Sequence, residues 1–167
     1  MKVSSKSLKK YKNTFSGNGL EFIFLRKGPN SVERLIKILS DIDSDFIFPT
    51  DEKLKLDQYA VKLLNHAYNF ILIDEEREIG VISIYANDQE TKTAFASTIG
   101  ILPSYRGRNL ALQLVKFAME FSKEVGMEKG RAEISKDNSK WLKFLLRQGF
   151  EIESETEHSY FIIKDLF

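Results

Sequence analysis

Apolar positions along the chain follow two periods that alternate from segment to segment. Val32, Leu35, Ile36 and Leu39 recur at helical spacing, as do Leu56, Tyr59, Ala60, Leu63, Leu64 and Ala67, so each stretch predicts a helix with one buried face. Asn30 followed by Glu33 has the spacing of a capping box at the first of them. Before it, Leu20 to Arg26 is rich in Phe and Ile and is closed by Gly28-Pro29, which predicts a strand. Phe70 to Asp74 and Glu78 to Tyr85 flank Glu75-Glu76-Arg77 as a hairpin would, and Thr93 to Ile101 supplies the next strand. A long helix from Leu110 to Val125 is ended by Gly126. Then come a strand over Arg131 to Ser135, a helix over Asn138 to Gln148, and a closing pair of strands at Phe150 to Glu153 and Tyr160 to Ile163. This order predicts an α/β fold: a mixed, mostly antiparallel central sheet of about seven strands with helices on both faces.

At 167 residues the chain is long enough to bury a core as one domain. Residues 1–19 carry Lys2, Lys6, Lys9, Lys10 and Lys12 without an acidic residue, so they read as a basic, mobile arm, leaving 20–167 as the domain. Lys plus Arg number 25 against 24 Asp plus Glu, which leaves no global field to attract nucleic acid. With no cysteine, disulfides, thiolate catalysis and thiolate metal sites are excluded, and His66 and His158 lie too far apart in sequence to suggest a zinc site. No apolar run reaches a membrane span and the first residues lack a signal-peptide core, so no membrane partner is expected and the cytoplasm is the expected location.

The stretch from Ile99 through Pro103, Arg106, Gly107, Arg108, Asn109 and Leu110 to Ala111 reads as a strand, a tight basic turn and a helix start. Such a turn aims unpaired backbone N–H groups at one point, where the helix dipole also favours negative charge. Phosphate or pyrophosphate is the ligand that chemistry suits, with Gly107 allowing close approach and the two arginines able to bind bidentately. About thirty residues on, Asn138 stands at the start of the next helix, followed by Trp141, Phe144 and Gln148-Gly149-Phe150.

Together these two segments resemble the acyl-CoA-binding signature of the GNAT N-acetyltransferase superfamily. Arg106 takes the first position of its turn motif and Ala111 the last, while Asn109 stands where the family has Gly; Asn is the non-Gly residue that best tolerates a left-handed backbone. The resemblance spans roughly residues 70 to 165 and implies a CoA-dependent N-acetyltransferase with acetyl-CoA as its cofactor. It implies cofactor contacts at Ile99, Ile101, Arg106, Gly107, Arg108, Asn109, Leu110, Ala111, Asn138 and Phe144. It also implies polarisation of the thioester carbonyl by backbone N–H groups near Gly100 and Ile101, where Gly100 suits a bulge.

The family's usual proton donor, a Tyr one residue past Phe144, is here Leu145, which cannot transfer a proton. Tyr160 and Tyr85 are the alternative phenols, and Asp88, after the strand ending at Tyr85, is the candidate general base. Asp43, Asp45 and Phe46, in the irregular segment between the first two helices, together with Tyr85 and Asn87, are the candidate acceptor contacts. Their acidity favours a cationic or hydroxyl-rich small-molecule amine over an extended peptide; a homodimer stays open. The missing acid also motivates a second reading, a non-catalytic acyl-CoA sensor or interaction module. A nucleotide-binding protein is disfavoured by the absence of Gly-x-Gly-x-x-Gly and of a phosphate loop.

Overall fold

The computed structural model describes residues 20–42 and 53–167. Seven strands form one sheet: β1 (Leu20–Phe24), β2 (Tyr68–Asp74), β3 (Arg77–Asp88), β4 (Thr93–Ile101), β5 (Lys129–Ser135), β6 (Glu151–Glu155) and β7 (Ser159–Asp165), in the order β1-β2-β3-β4-β5-β7-β6. Only the β4–β5 pair is parallel; the other neighbours are antiparallel. Among the described residues four α-helices accompany them: α1 (Ser31–Asp41), α2 (Lys53–His66), α3 (Leu110–Glu124) and α4 (Ser139–Arg147). This is the architecture the periodicity predicts.

Alternation along β2 shows which helix covers which face. Asn69 donates to the carbonyls of Leu63 and Ala67 on the α2 side, while its neighbour Phe70 meets Phe117 and Phe121 of α3 edge-on at 4.8 Å. Helices α2 and α3 therefore lie on opposite faces, and the central strands are buried on both. That is why Ile79 and Val81 through Ile84 read as an almost unbroken apolar run rather than an alternating one. Phe22 stacks on Phe117 at 4.1 Å and ties the edge strand to the same aromatic cluster.

Local chemistry departs from the sequence expectation at the start of α1, while the expected β2–β3 hairpin is present. Asn30 does not cap α1: it is left-handed at φ 62 with no side-chain cap bond, and Ser31 takes over the local bonding, accepting from the Gly28 N–H and donating to the Gly28 carbonyl. The β2–β3 hairpin is a tight turn in which Glu75 and Glu76 both take positive φ, 44° and 72°, the conformation that matches strand twist. Residues 1–19 lie outside the described residues.

A second apolar cluster of Val115, Ile134, Leu145 and Ile162, backed by Trp141, Phe144 and Phe150, fastens α4 to β5, β7 and α3. Leu145 is only 3 % exposed there; it fills a packed wall, where the sequence had suggested an acid position left empty. Leu145→Tyr must therefore add volume to a filled site and is expected to destabilise by about 1–3 kcal/mol, read as a lowered urea midpoint; an unchanged midpoint would mean the wall has room for a phenol.

Candidate active site

The parallel pairing of β4 with β5 runs from Thr93↔Lys129 to Ala96↔Ala132 and stops there. Beyond that point β4 stays paired with β3 as far as Ile101↔Gly80, and β5 with β7 as far as Ser135↔Ser159, so the two strands diverge like the arms of a V. The register against β3 slips at the same place: Ser83 faces Thr98 and Ile84 faces Ala96, leaving Ser97 as the extra, bulged residue. Gly100, expected to supply a bulge, instead sits in regular register opposite Val81. Its carbonyl comes 2.9 Å from where a Cβ on Gly80 would stand, so the strict glycine requirement falls on Gly80. From Ser97 onward the β5 side of β4 has no strand partner among the described residues, and its outward N–H groups face the gap.

The gap leads into a cleft of about 620 Å³. At its outer end a short 3₁₀ turn (Pro103–Tyr105) leads into the basic turn, and two residues there are left-handed, Gly107 at φ 81 and Asn109 at φ 58. Asn109 thus adopts the backbone that glycine would. Gln113 is the first N–H of α3 to find a main-chain carbonyl, Asn109 O at 3.3 Å; the N–H groups of Leu110, Ala111 and Leu112 precede it, as at any helix start. Among the described residues, no main-chain carbonyl outside the helices and strands accepts from Gly107, Arg108 or Asn109 either. A run of N–H groups at a helix N-terminus is suited to an anion.

Ile99, Gly100, Ile101, Arg106, Gly107, Asn109, Leu110, Ala111, Asn138 and Phe144 all line this cleft. Arg106 also ties the turn to the end of α1, donating to the Ile42 carbonyl at 3.0 Å. Arg108 does not line the cleft; its guanidinium lies over the Tyr105 ring at 4.9 Å, with Arg77 also on that ring at 5.4 Å. Asn138 caps α4, accepting from the Trp141 N–H at 3.2 Å, and Trp141 stacks on Phe144 at 4.9 Å to make an aromatic wall.

The expected acid and base lie elsewhere. Asp88 is fully exposed at the far end of β3 and accepts from Thr91 Oγ1 and from the N–H groups of Glu90 and Thr91. Those bonds, the Thr91 hydroxyl foremost, hold its carboxyl below the usual range, whereas a base needs it raised; Asp88 is a turn former. Tyr160 is on β7, outside the cleft lining, with the Lys136 ammonium 5.1 Å from its ring. Asn87 donates to the His66 carbonyl at the end of α2, and Tyr85 is half-buried opposite Phe95; neither lines the cleft. Burial, then the nearby Tyr59, pushes the Tyr85 phenol up. Asp43, Asp45 and Phe46 lie outside the described residues.

Two groups not singled out from the sequence do line the cleft. Glu133 is on β5, one residue beyond the last β4–β5 pair and half-buried. Tyr59, from α2, reaches the bulge, with its hydroxyl 2.7 Å from Ser97 Oγ and 2.6 Å from Thr98 Oγ1. Glu133 is far from β4 in sequence; only the parallel register brings β5 alongside.

A model of the acetyltransferase (GNAT) family matches residues 33–150. No curated protein sequence matches the chain. Among solved structures, the chain is similar to the PaiA N-acetyltransferase of Thermoplasma acidophilum in complex with coenzyme A, at TM-score 0.70 and 17 % identity over 87 % of this chain and 98 % of that one. It is also similar to mutant forms of the spermidine/spermine N-acetyltransferase SpeG of Vibrio cholerae, at TM-score 0.69 and 16 % identity over 89 % and 94 %. An acetyltransferase of Streptococcus pneumoniae gives 0.64 and 15 % over 87 % and 99 %.

Because Gly107 is left-handed with open space around it while Arg108 rests on Tyr105, Gly107→Val is expected to weaken acetyl-CoA binding more than Arg108→Ala does. Titration calorimetry on the two variants checks this; equal losses would mean the turn works through charge rather than main chain.

Proposed function

The chain belongs to the GNAT acetyltransferase family, and on that premise we propose that it carries acetyl from acetyl-CoA to the primary amine of a small molecule by direct attack. The observation that carries this reading is the continuity of the V-shaped gap with the N–H-lined turn: one cleft offers a place for a pyrophosphate and, at the other end, main-chain donors for a carbonyl. Gly107 to Leu112 would hold the pyrophosphate through main chain, Arg106 would add charge, and the diverging edge of β4 would pair with the amide-bearing arm. Direct attack agrees with a chain that has no cysteine to carry an acyl group.

In the transfer, the amine nitrogen attacks the carbonyl carbon, the C–S bond breaks, and the sulfur leaves as thiolate. Among the described residues Glu133 is the carboxylate lining the cleft, and we assign it the proton lost by the attacking amine, directly or through water. Leu145 cannot protonate the thiolate, and solvent is the donor proposed for it. The name of the Vibrio cholerae neighbour adds polyamines to the acceptors worth testing, and a half-buried carboxylate beside the gap suits a cationic amine.

Calorimetric titration with acetyl-CoA, followed by free-thiol release with a panel of amines that includes spermidine, tests the reading. Saturable binding with amine-dependent release supports it; binding with no amine-dependent release would make the protein a sensor. With an active amine in hand, Glu133→Gln is expected to lower kcat/KM by about 10²–10⁴. Retained activity would place the base elsewhere.

A further inference from the structure

Three buried polar residues cross the sheet in a row beneath α2. Asn69 on β2 pairs with Ser83 on β3, and Ser83 with Thr98 on β4; they are 1 %, 0 % and 2 % exposed. Each end of the row is bonded to α2. Asn69 gives both amide protons to the carbonyls of Leu63 and Ala67 and accepts from Ser83 Oγ at 2.7 Å, while Thr98 meets the Tyr59 hydroxyl. That hydroxyl also meets Ser97, the bulged residue at which β4 parts from β5.

Buried hydroxyls and amides are costly unless bonded, and apolar residues of the same shape serve stability as well or better. A row of them ending at the apex of the V is therefore poorly explained by stability. Its geometric effect is specific: one phenol bonds two successive β4 residues, the bulged Ser97 and Thr98 next to it, and ties them to a helix on the opposite face of the sheet from α3. The direction in which the freed β4 N–H groups point depends on that slip.

We propose that Tyr59 is a positioning residue for acetyl transfer, holding the Ser97–Thr98 bulge so that the main-chain donors of β4 face the thioester carbonyl. The inference rests on the reading that acetyl-CoA occupies the cleft. A carbonyl polarised by aligned donors shows a lowered stretching frequency, and misaligned donors polarise it less. No acceptor amine is needed to observe this.

The test is difference infrared spectroscopy of carbonyl-¹³C acetyl-CoA bound to the wild type and to Tyr59→Phe/Thr98→Val, which removes the phenol hydroxyl and its buried Thr98 partner with little change of shape. Expected are a red-shifted carbonyl in the wild type, loss of most of that shift in the double variant at saturating acetyl-CoA, and a thermal midpoint that changes little. An unshifted wild-type carbonyl, or a double variant with the full wild-type shift, overturns the proposal. Failure of the wild type to bind acetyl-CoA overturns the parent reading as well, so the two failures are distinguishable.

Single variants give an independent comparison. If Thr98 acts through its hydroxyl, Thr98→Ser keeps more of the red shift than Thr98→Val; if it acts only by filling space, the order reverses and the proposal fails. This second arm stands even where the double variant folds poorly.

Discussion

Everything that gives this molecule a site follows from one break in a hydrogen-bond ladder. Two parallel strands pair for a few residues and then part, and each keeps its other neighbour: β4 stays with β3 and β5 with β7. The sheet is therefore continuous around the gap although it is open at it. Peptide groups along such an edge would each cost about 1–3 kcal/mol if left dry and unbonded, so the gap has to be filled by water or by a ligand with polar groups of its own. An extended ligand that carries amides and a carbonyl answers that need better than an apolar one.

The outer end of the gap shows the same demand in another form. Gly107 and Asn109 are both left-handed within three residues, and a left-handed non-glycine residue is uncommon enough to call for a reason. Nothing lies within 4 Å of the Cβ that Gly107 lacks, so packing does not ask for glycine there; the backbone conformation does. Reversing the chain twice brings successive N–H groups to one side at the start of α3, where the helix dipole adds to them. Strain, orphaned donors and a dipole that point the same way make an anion site more convincing than the two arginines do. One of those arginines is bonded to the Ile42 carbonyl and the other lies on Tyr105.

The fold was legible in the sequence because helix and strand periods are local properties, and every predicted element is present. The turn was legible for the same reason: Arg106 to Ala111 are neighbours in the chain, and their conformation is settled within the turn itself. The centre of the gap was not, since it depends on register. Glu133 becomes relevant only because Ala96 pairs with Ala132, and Tyr59 only because α2 crosses the face of β4 that carries Thr98. Asp88 failed for the converse reason: next to Thr91 it makes its own local turn, so a polar cluster near a strand end was turn chemistry and nothing more. The two asparagines that precede helices show the limit within a single residue type, as Asn138 accepts from its helix and Asn30 turns left-handed without doing so.

Position 145 then raises the question of whether a transferase can do without a phenol there. The magnitudes favour it. A primary amine of pKa near 10.4 is protonated in all but about one molecule in 10³ at neutral pH, so the attacking group needs its proton removed before it is a nucleophile. A thiol titrates near 8.5, so a departing thiolate lies only about 1.5 pH units from its protonated form and leaves tolerably well unassisted. The base therefore has roughly twice as many pKa units to supply as the acid. On the proposed reading, a site with Glu133 at the gap and Leu145 in a hydrophobic wall holds the group the reaction needs more, and Val115, Ile134 and Ile162 around Leu145 seat α4 and with it the aromatic side of the cleft.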